Sequence, residues 1–505
     1  MTASGNLGDL VSRDRDPAAM ALIDLVEPAR PRVFSHGDID AEAMAVARGL
    51  LRRGHGRGER IAILSANRAE FVTAYFGTMR AGLVSVPVSY RFPRETIHYI
   101  LRDAGVSMIF ADAARMADCP DGIPVVGFDR PGEGGFRALL DPGPFETVRP
   151  ARDEAAMFLY TSGSTGRPKG VPLSHAGQLW VIEVRRRHDP EFRPHRFLVA
   201  APLYHMNALI FTKIAMASHA SVVMLPSFTA DAYIDAIERH RVTWLTSVPT
   251  MLAMVARERE RLQRADLSSV QVVSMGSAPL AQKLVDQLKA IFPGRVFANA
   301  YGTTEAGAGV FGPHPDGMER PDLSVGYPLP EAGVRLVGAD GREADVGVLQ
   351  MRTPALMAGY HNLPGKTAER MTADGWYDSG DVMRRDGDGF YYFVGRADDM
   401  FNCGGENLYP GEVEKMLERH PDILQSCVVP VDDEIKGQKP VAFVVRRPGA
   451  AVDEAAIKRF ALANAPAFQH PRRVFFVEAL PLAATNKIDR AALTKRAAEA
   501  AGAEA

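Results

Sequence analysis

A short apolar run, Ala156-Met157-Phe158-Leu159-Tyr160, has the length and composition of a buried strand, and it leads straight into Thr161-Ser162-Gly163-Ser164-Thr165-Gly166-Arg167-Pro168-Lys169-Gly170. Those ten residues contain three glycines, four hydroxyl side chains and two cations. Glycine lets backbone N–H groups turn towards an anion with no side chain in the way, and the hydroxyls and cations add donors and charge. By composition this is a phosphate-gripping loop. The spacing is not that of a Walker loop: counting from Gly163, Arg167 and Pro168 stand where Gly and Lys are required. A hydroxyl-rich surface turn is the alternative, so the neighbouring segments decide.

Upstream, helical spacing over 41–53 is followed by a strand at 60–64, a helix at 70–80, a strand at 83–88, a helix at 94–103 and a strand at 106–110. Downstream, strands at 220–225, 242–247, 270–275 and 296–299 alternate with helices at 231–240 and 281–292. Alternation of this kind predicts helix-covered sheets that are at least partly parallel. The Pro/Gly-rich stretch 129–150 reads as a surface linker. Past Tyr301 come short β runs separated by turn formers, at 334–337, 348–351 and 390–394, which suggest a small antiparallel barrel or sheet. A last α+β unit begins near Asp398, with helices at 410–419 and 454–464 and strands at 423–430, 440–446 and 473–477. The expected fold class is therefore α/β: a large N-terminal domain over 1–397, made of helix-covered mixed sheets plus a small β-barrel, then a small mobile α+β domain over 398–505.

With 505 residues the chain is too long for one ordinary core. A formal charge of −2 gives no reason to expect nucleic acid as a partner. The three cysteines, Cys119, Cys403 and Cys427, are too widely spaced for a zinc site or a disulfide framework, which points to a reducing cytoplasm. The first sixteen residues lack the apolar centre of a signal peptide. The most apolar long window, 197–217, is interrupted by Tyr204, His205, Asn207 and Lys213, so it reads as core near a site and not as a membrane span.

Further segments carry chemistry. Tyr301-Gly302-Thr303-Thr304-Glu305-Ala306-Gly307 follows a buried strand and offers a flat ring, two hydroxyls and one carboxylate. One carboxylate suffices for magnesium when phosphates supply the other ligands; a capped turn is the alternative. Gly276-Ser277-Ala278-Pro279 ends another strand, and Tyr377-Asp378-Ser379-Gly380-Asp381 puts a carboxylate after a turn. Then come Gly395-Arg396-Ala397-Asp398, Gly404-Gly405-Glu406 and, near the end, Thr485-Asn486-Lys487-Ile488.

In this order and at these intervals, from Thr161 to Lys487, the segments resemble the motifs of the adenylate-forming family: acyl- and aryl-CoA synthetases, luciferases and peptide-synthetase adenylation domains. The resemblance implies that Thr161, Ser162, Gly163, Ser164, Thr165, Gly166 and Lys169 hold phosphate and that Thr165 and Glu305 face magnesium. By the same resemblance Gly276, Ala278 and Pro279 flank the adenine, and Tyr301, Gly302 and Thr303 belong to its cradle. Thr304 touches the α-phosphate, Asp381 binds the ribose and Arg396 also reaches the nucleotide. Asp398 is the hinge of the C-terminal domain, and Gly404 and Gly405 lie beside the tunnel for coenzyme A. Lys487 is the adenylation lysine, although the family more often has Gly before it where this chain has Asn486. Pro202-Leu203-Tyr204-His205-Met206-Asn207 resembles the acyl-pocket segment, with His205 near the substrate carboxylate and the thiol path.

The chemistry expected is the joining of a carboxylate to AMP from ATP, then thioester formation with CoA. Peptide-synthetase domains carry an Asp for the amino group about where Met206 stands, so an amino acid substrate is disfavoured. Met206, Leu209, Ile210 and Phe211 suggest an apolar monocarboxylate, with a lean towards fatty or other aliphatic acids and an aryl acid as the alternative. A luciferase-type oxygenase and a nucleotide sensor are the competing classes. The expected assembly leaves a homodimer open.

Overall fold

The computed structural model describes residues 4–11, 13–161, 167–188, 192, 194–403, 406–433, 437–483 and 488–502. Two large sheets dominate the N-terminal part. One has seven strands, ordered Val296–Ala300, Val272–Gly276, Trp244–Ser247, Arg196–Val199, Ser221–Met224, Met20–Asp24 and Arg32–Ser35. Its neighbours are parallel except for the final hairpin. The other has six, ordered Val125–Gly127, Val106–Ala111, Arg60–Leu64, Val84–Pro87, Ala155–Thr161 and Lys169–Ser174, with only the last pair antiparallel.

Strands buried on both faces should read as apolar runs; 61–64 does, and Val84–Pro87 is interrupted only by the buried Ser85. The helix Ala69–Arg80 has eleven of its twelve residues buried, because it packs into the main core and has no free face to give to water. His36–Arg52 begins where Ser35 and Asp38 form a capping box, five residues before the apolar spacing starts.

The next unit is a four-stranded antiparallel sheet, Gly333–Val337, Val346–Arg352, Tyr377–Arg385 and Tyr391–Arg396 in that order, where the sequence suggested a barrel or sheet. The C-terminal unit is built on the long hairpin Ile423–Asp433 and Gly437–Arg446. Period-two alternation splits its apolar residues between two cores. Val428, Ala442 and Val444 face a cluster with Val413, Leu417 and Ile457, while Cys427, Val429, Val441 and Phe443 face one with Leu480 and Leu493. Helices Pro410–Leu417 and Glu454–Asn464 cover the first face and Arg490–Gly502 the second.

One expectation is corrected, and one unread region gains a structure. Residues 129–150 are not a surface linker throughout: Phe136 and Leu139, on the short helix Phe136–Leu139, are buried in the main core, since a few apolar side chains suffice to pull a Pro/Gly-rich stretch inwards. The first strands, Met20–Asp24 and Arg32–Ser35, extend the seven-stranded sheet, although no motif marked that region. They are held by Arg32, which pairs with the fully buried Asp24 and with Glu70.

Candidate active site

The glycine-rich stretch joins two antiparallel neighbouring strands. Thr161 and Lys169 are opposite each other in the register of Ala155–Thr161 and Lys169–Ser174, so both ends of the glycine-rich stretch are fixed side by side. Ser162, Gly163, Ser164, Thr165 and Gly166 themselves lie outside the described residues, as do Gly404, Gly405 and Lys487. Among the described residues, the buried Thr161 Oγ1 has no hydrogen-bond partner. A buried hydroxyl in that state is costly unless something else bonds it, which suits a residue facing a phosphate.

The strands Val272–Gly276 and Val296–Ala300 are parallel neighbours with Gly276 opposite Ala300, so the turns after them emerge together. That brings Gly276-Ser277-Ala278-Pro279 alongside Tyr301-Gly302-Thr303-Thr304-Glu305. Ala278 is half-buried and Pro279 exposed. Gly302 admits no side chain, because a Cβ there would meet Ala308 Cα at 2.7 Å. Thr303 closes the turn: its backbone pairs with Gly307, and its Oγ1 accepts from the Ala306 N–H at 3.0 Å. The capped turn and the site residue are thus one object, with no helix following. Thr304 is half-buried at its tip.

Two carboxylates organise this cleft. Asp381, on Tyr377–Arg385, accepts from Tyr301 Oη at 2.5 Å and from Arg396 Nη1 at 2.7 Å. Burial pushes the Tyr301 phenol well above its ordinary value, and the neighbouring carboxylate adds to this. Burial pulls the Arg396 guanidinium down, but the charge and hydrogen bond of Asp381 outweigh that and leave it raised. Glu305 is the second carboxylate. It is buried, accepts from Tyr360 Oη at 2.9 Å and is fixed through its backbone by the Met357 N–H at 2.7 Å. Lys169 lies 4.3 Å from the centre of the Tyr360 ring, with its ammonium pulled down by burial and partly restored by Glu305.

Among the described residues, no three His, Cys, Asp or Glu side chains converge as a metal cage. One buried glutamate beside a phosphate loop fits magnesium held jointly with a nucleotide's phosphates, which needs only one or two protein carboxylates.

Asp398 follows immediately. Its Oδ2 accepts from Arg370 Nη2 and from Arg396 Nη2, each at 2.9 Å. Burial raises this carboxyl, and the two guanidiniums overcome it, so the net shift is downward. His205 occupies the N-cap of the buried helix Met206–Ser218, its ring 4.7 Å from that of Tyr204, which in turn packs edge-on to Tyr90. Leu482 and Ile488 form an isolated antiparallel bridge.

Tyr360 and Arg370 were not anticipated. Both come from the loop segment between the strands Val346–Arg352 and Tyr377–Arg385, where nothing in composition or spacing sets a functional side chain apart.

The mixed α/β fold, with Glu305 on a turn and Asp381 on a neighbouring strand, is that of an AMP-forming acid–thiol ligase of the adenylate-forming class. The chain belongs to the AMP-binding enzyme family: that family's model matches residues 11–361, and the model of the AMP-binding enzyme C-terminal domain matches 412–487. It is 31% identical over 490 residues to a sulfoacetate–CoA ligase of Cupriavidus necator, covering 94% of each chain. It is also 31% identical over 472 residues to a feruloyl-CoA synthase of Amycolatopsis sp., covering 92% of this chain and 94% of the relative. Among solved structures, ATP-bound MatB from Rhodopseudomonas palustris superposes with a TM-score of 0.89 at 26% identity, covering 98% of this chain and 99% of the other. Among the described residues, no helix is long and apolar enough to cross a membrane.

Proposed function

We propose that the protein converts a carboxylic acid and ATP to an acyl-adenylate and pyrophosphate, then transfers the acyl group to coenzyme A with release of AMP. The observation that carries this reading is the pairing of two differently supported carboxylates in one cleft. Asp381, held by Tyr301 and Arg396, suits the ribose hydroxyls. Glu305, backed by Tyr360 and near Lys169, suits the phosphate side.

In the first half-reaction a carboxylate oxygen attacks the α-phosphorus and the bond to pyrophosphate breaks. Both reactants are anionic: two like charges ~4 Å apart repel by about 4 kcal/mol at an effective dielectric of ~20. Lys169, Thr304 and the N–H groups of the phosphate loop supply the donors that offset this, and Lys487 brings a further positive charge from the C-terminal unit. Magnesium, held by Glu305, Thr165 and the phosphates, would neutralise the leaving pyrophosphate. In the second half-reaction the CoA thiolate attacks the acyl carbon, AMP leaves, and the thiol proton passes to solvent. Lys487 has to withdraw and the thiol has to enter beside Gly404 and Gly405. Rotation of residues 398–505 about Asp398 against residues 1–397 accounts for both.

The names of the relatives include acids as different as ferulate and sulfoacetate, so they do not select the acid. Its body is expected to be mainly apolar, as Leu209, Ile210 and Phe211 on the helix behind His205 imply, and both aliphatic and aryl acids meet that condition. A cytoplasmic setting with CoA at hand is the natural one. The test is a panel of carboxylic acids scored for ATP- and CoA-dependent AMP release. Release with at least one acid, dependent on both co-substrates, supports the reading; pyrophosphate exchange with no acid at all refutes it.

A further inference from the structure

The helix Met206–Ser218 contains a residue that its surroundings do not explain. Lys213 is fully buried, with 0% of its surface exposed. It is seven residues from Met206, hence on the same helical face. Helical side chains lean towards the N-terminus, and the Lys213 ammonium comes within 3.9 Å of Met206 Sδ. It therefore sits beneath the first turn of the helix capped by His205. Its other contact is neutral: Nζ donates to Gln178 Oε1 at 2.7 Å. Phe71, Val72, Tyr75, Phe76, Leu203, Leu209 and Thr212 line the space beside it, which as it stands is too small for a water, so a ligand reaches the amine only where the flexible Met206 side chain gives way.

No carboxylate pairs with Lys213 among the described residues. A buried cation with one neutral acceptor is expensive to keep, and an apolar side chain would pack there at no such cost. Burial drags the amine down to about 7, so near neutral pH it stands between its charged and uncharged forms, and an arriving oxyanion would tip it to the charged one. A methyl terminus laid against it would gain nothing from either form. The spacing also limits the acid: eight residues of helix from His205 span roughly 12 Å, and the side chain folds back over part of that length.

We propose that Lys213, oriented by Gln178, forms the floor of the acyl pocket, and that the acid activated here is a compact one with a second oxyanion, carboxylate or sulfonate, at its far end. This rests on the ligase reading above and on residues 202–207 lining the acyl pocket.

The test compares, over a length series, acids ending in methyl with their carboxylate- and sulfonate-terminated counterparts, using the full-length enzyme with magnesium, ATP and CoA. The wild type is expected to favour an oxyanion-terminated acid over its methyl partner by roughly 10²-fold or more in kcat/KM. Lys213→Met should lose that preference mainly through KM, while methyl-terminated acids are used as well as before or better. The carboxylate and sulfonate arms show which oxyanion is meant. A wild type that prefers methyl-terminated acids at every length overturns the proposal, and so does a folded K213M variant that keeps the wild-type ranking. Should K213M fail to fold, as judged by its thermal melt, the wild-type ranking decides alone. Absence of AMP release with every acid would instead remove the ligase reading, and this proposal with it.

Discussion

The phenol of Tyr360 donates to Glu305 Oε1 at 2.9 Å, so this buried acid is aimed by a residue from a different loop. Tyr360→Phe keeps the ring under Lys169 and removes this donor, together with the hydroxyl's hydrogen bond with Tyr377. A hydrogen bond to a charged group is worth about 1.5–3 kcal/mol, which corresponds to roughly 10–100-fold. The variant should need correspondingly more magnesium–ATP to reach half-saturation, with its melting temperature little changed. A magnesium titration of the steady-state rate checks this, and an unchanged half-saturation point would dissociate Tyr360 from Glu305's role.

Asp381 is held on one oxygen by Tyr301 and on the other by Arg396. Asp381→Asn preserves the shape but leaves Arg396 without its counter-charge at this position. The KM for ATP is expected to rise on the order of 10²-fold, the scale of a lost charge-assisted bond. If the carboxylate reads the ribose, Asp381→Ala should also erase discrimination between ATP and 3′-deoxy-ATP. Retained discrimination would move ribose recognition elsewhere.

The two half-reactions should separate by mutation. Lys487→Ala is expected to slow adenylate formation by about 10²–10³-fold, as for other preorganised charge donors, and to leave thioester formation from supplied acyl-adenylate intact. Asp398→Pro, which stiffens the joint, should do the reverse. Single-turnover assays of each step decide the matter; parallel loss of both steps in the Pro variant would refute the hinge role.

Acid should loosen the N-terminus. The Leu7 N–H donates to His175 Nδ1 at 2.9 Å, and burial lowers this imidazole from its ordinary 6.5 to about 4. The folded state thus binds fewer protons than the unfolded one, so the stabilisation is fully present above 6.5 and is lost as pH falls towards 4. Between pH 7 and pH 5 the loss amounts to roughly 2 kcal/mol at 1.36 kcal/mol per pKa unit. Urea unfolding at the two pH values measures it, and His175→Asn, whose amide oxygen can still accept from Leu7, should flatten the difference.

Much of the fold could be read from residue order because its determinants are local. The helices Arg94–Asp103 and Glu454–Asn464 fall at their expected limits, the second behind an Asp453 cap. The alternating sheets follow from apolar runs between helical patterns. His36–Arg52 was under-read because Gly37 and Asp38 interrupt the apolar spacing while the capping box sets the true start. The turn bearing Tyr301 and Glu305 could be found because it follows a strand within a recognisable string; Asp381 was found by its string as well, although it stands within the strand Tyr377–Arg385 and not after a turn. Tyr360 and Arg370 could not, since their roles arise only when a loop distant in sequence folds over the cleft. Lys213 was seen as an interruption in an apolar window; that its amine is wholly enclosed depends on the helix Ala69–Arg80 packed against it.

Arg370 and Arg396 converge on a single oxygen of Asp398, with 42% of that side chain exposed. Any rotation beginning at this residue gives up two charged contacts at once, in a place that dissolved ions can reach. On the proposed hinge reading, added salt should favour departure from the clamped arrangement, and dilute buffer should hold the enzyme in it.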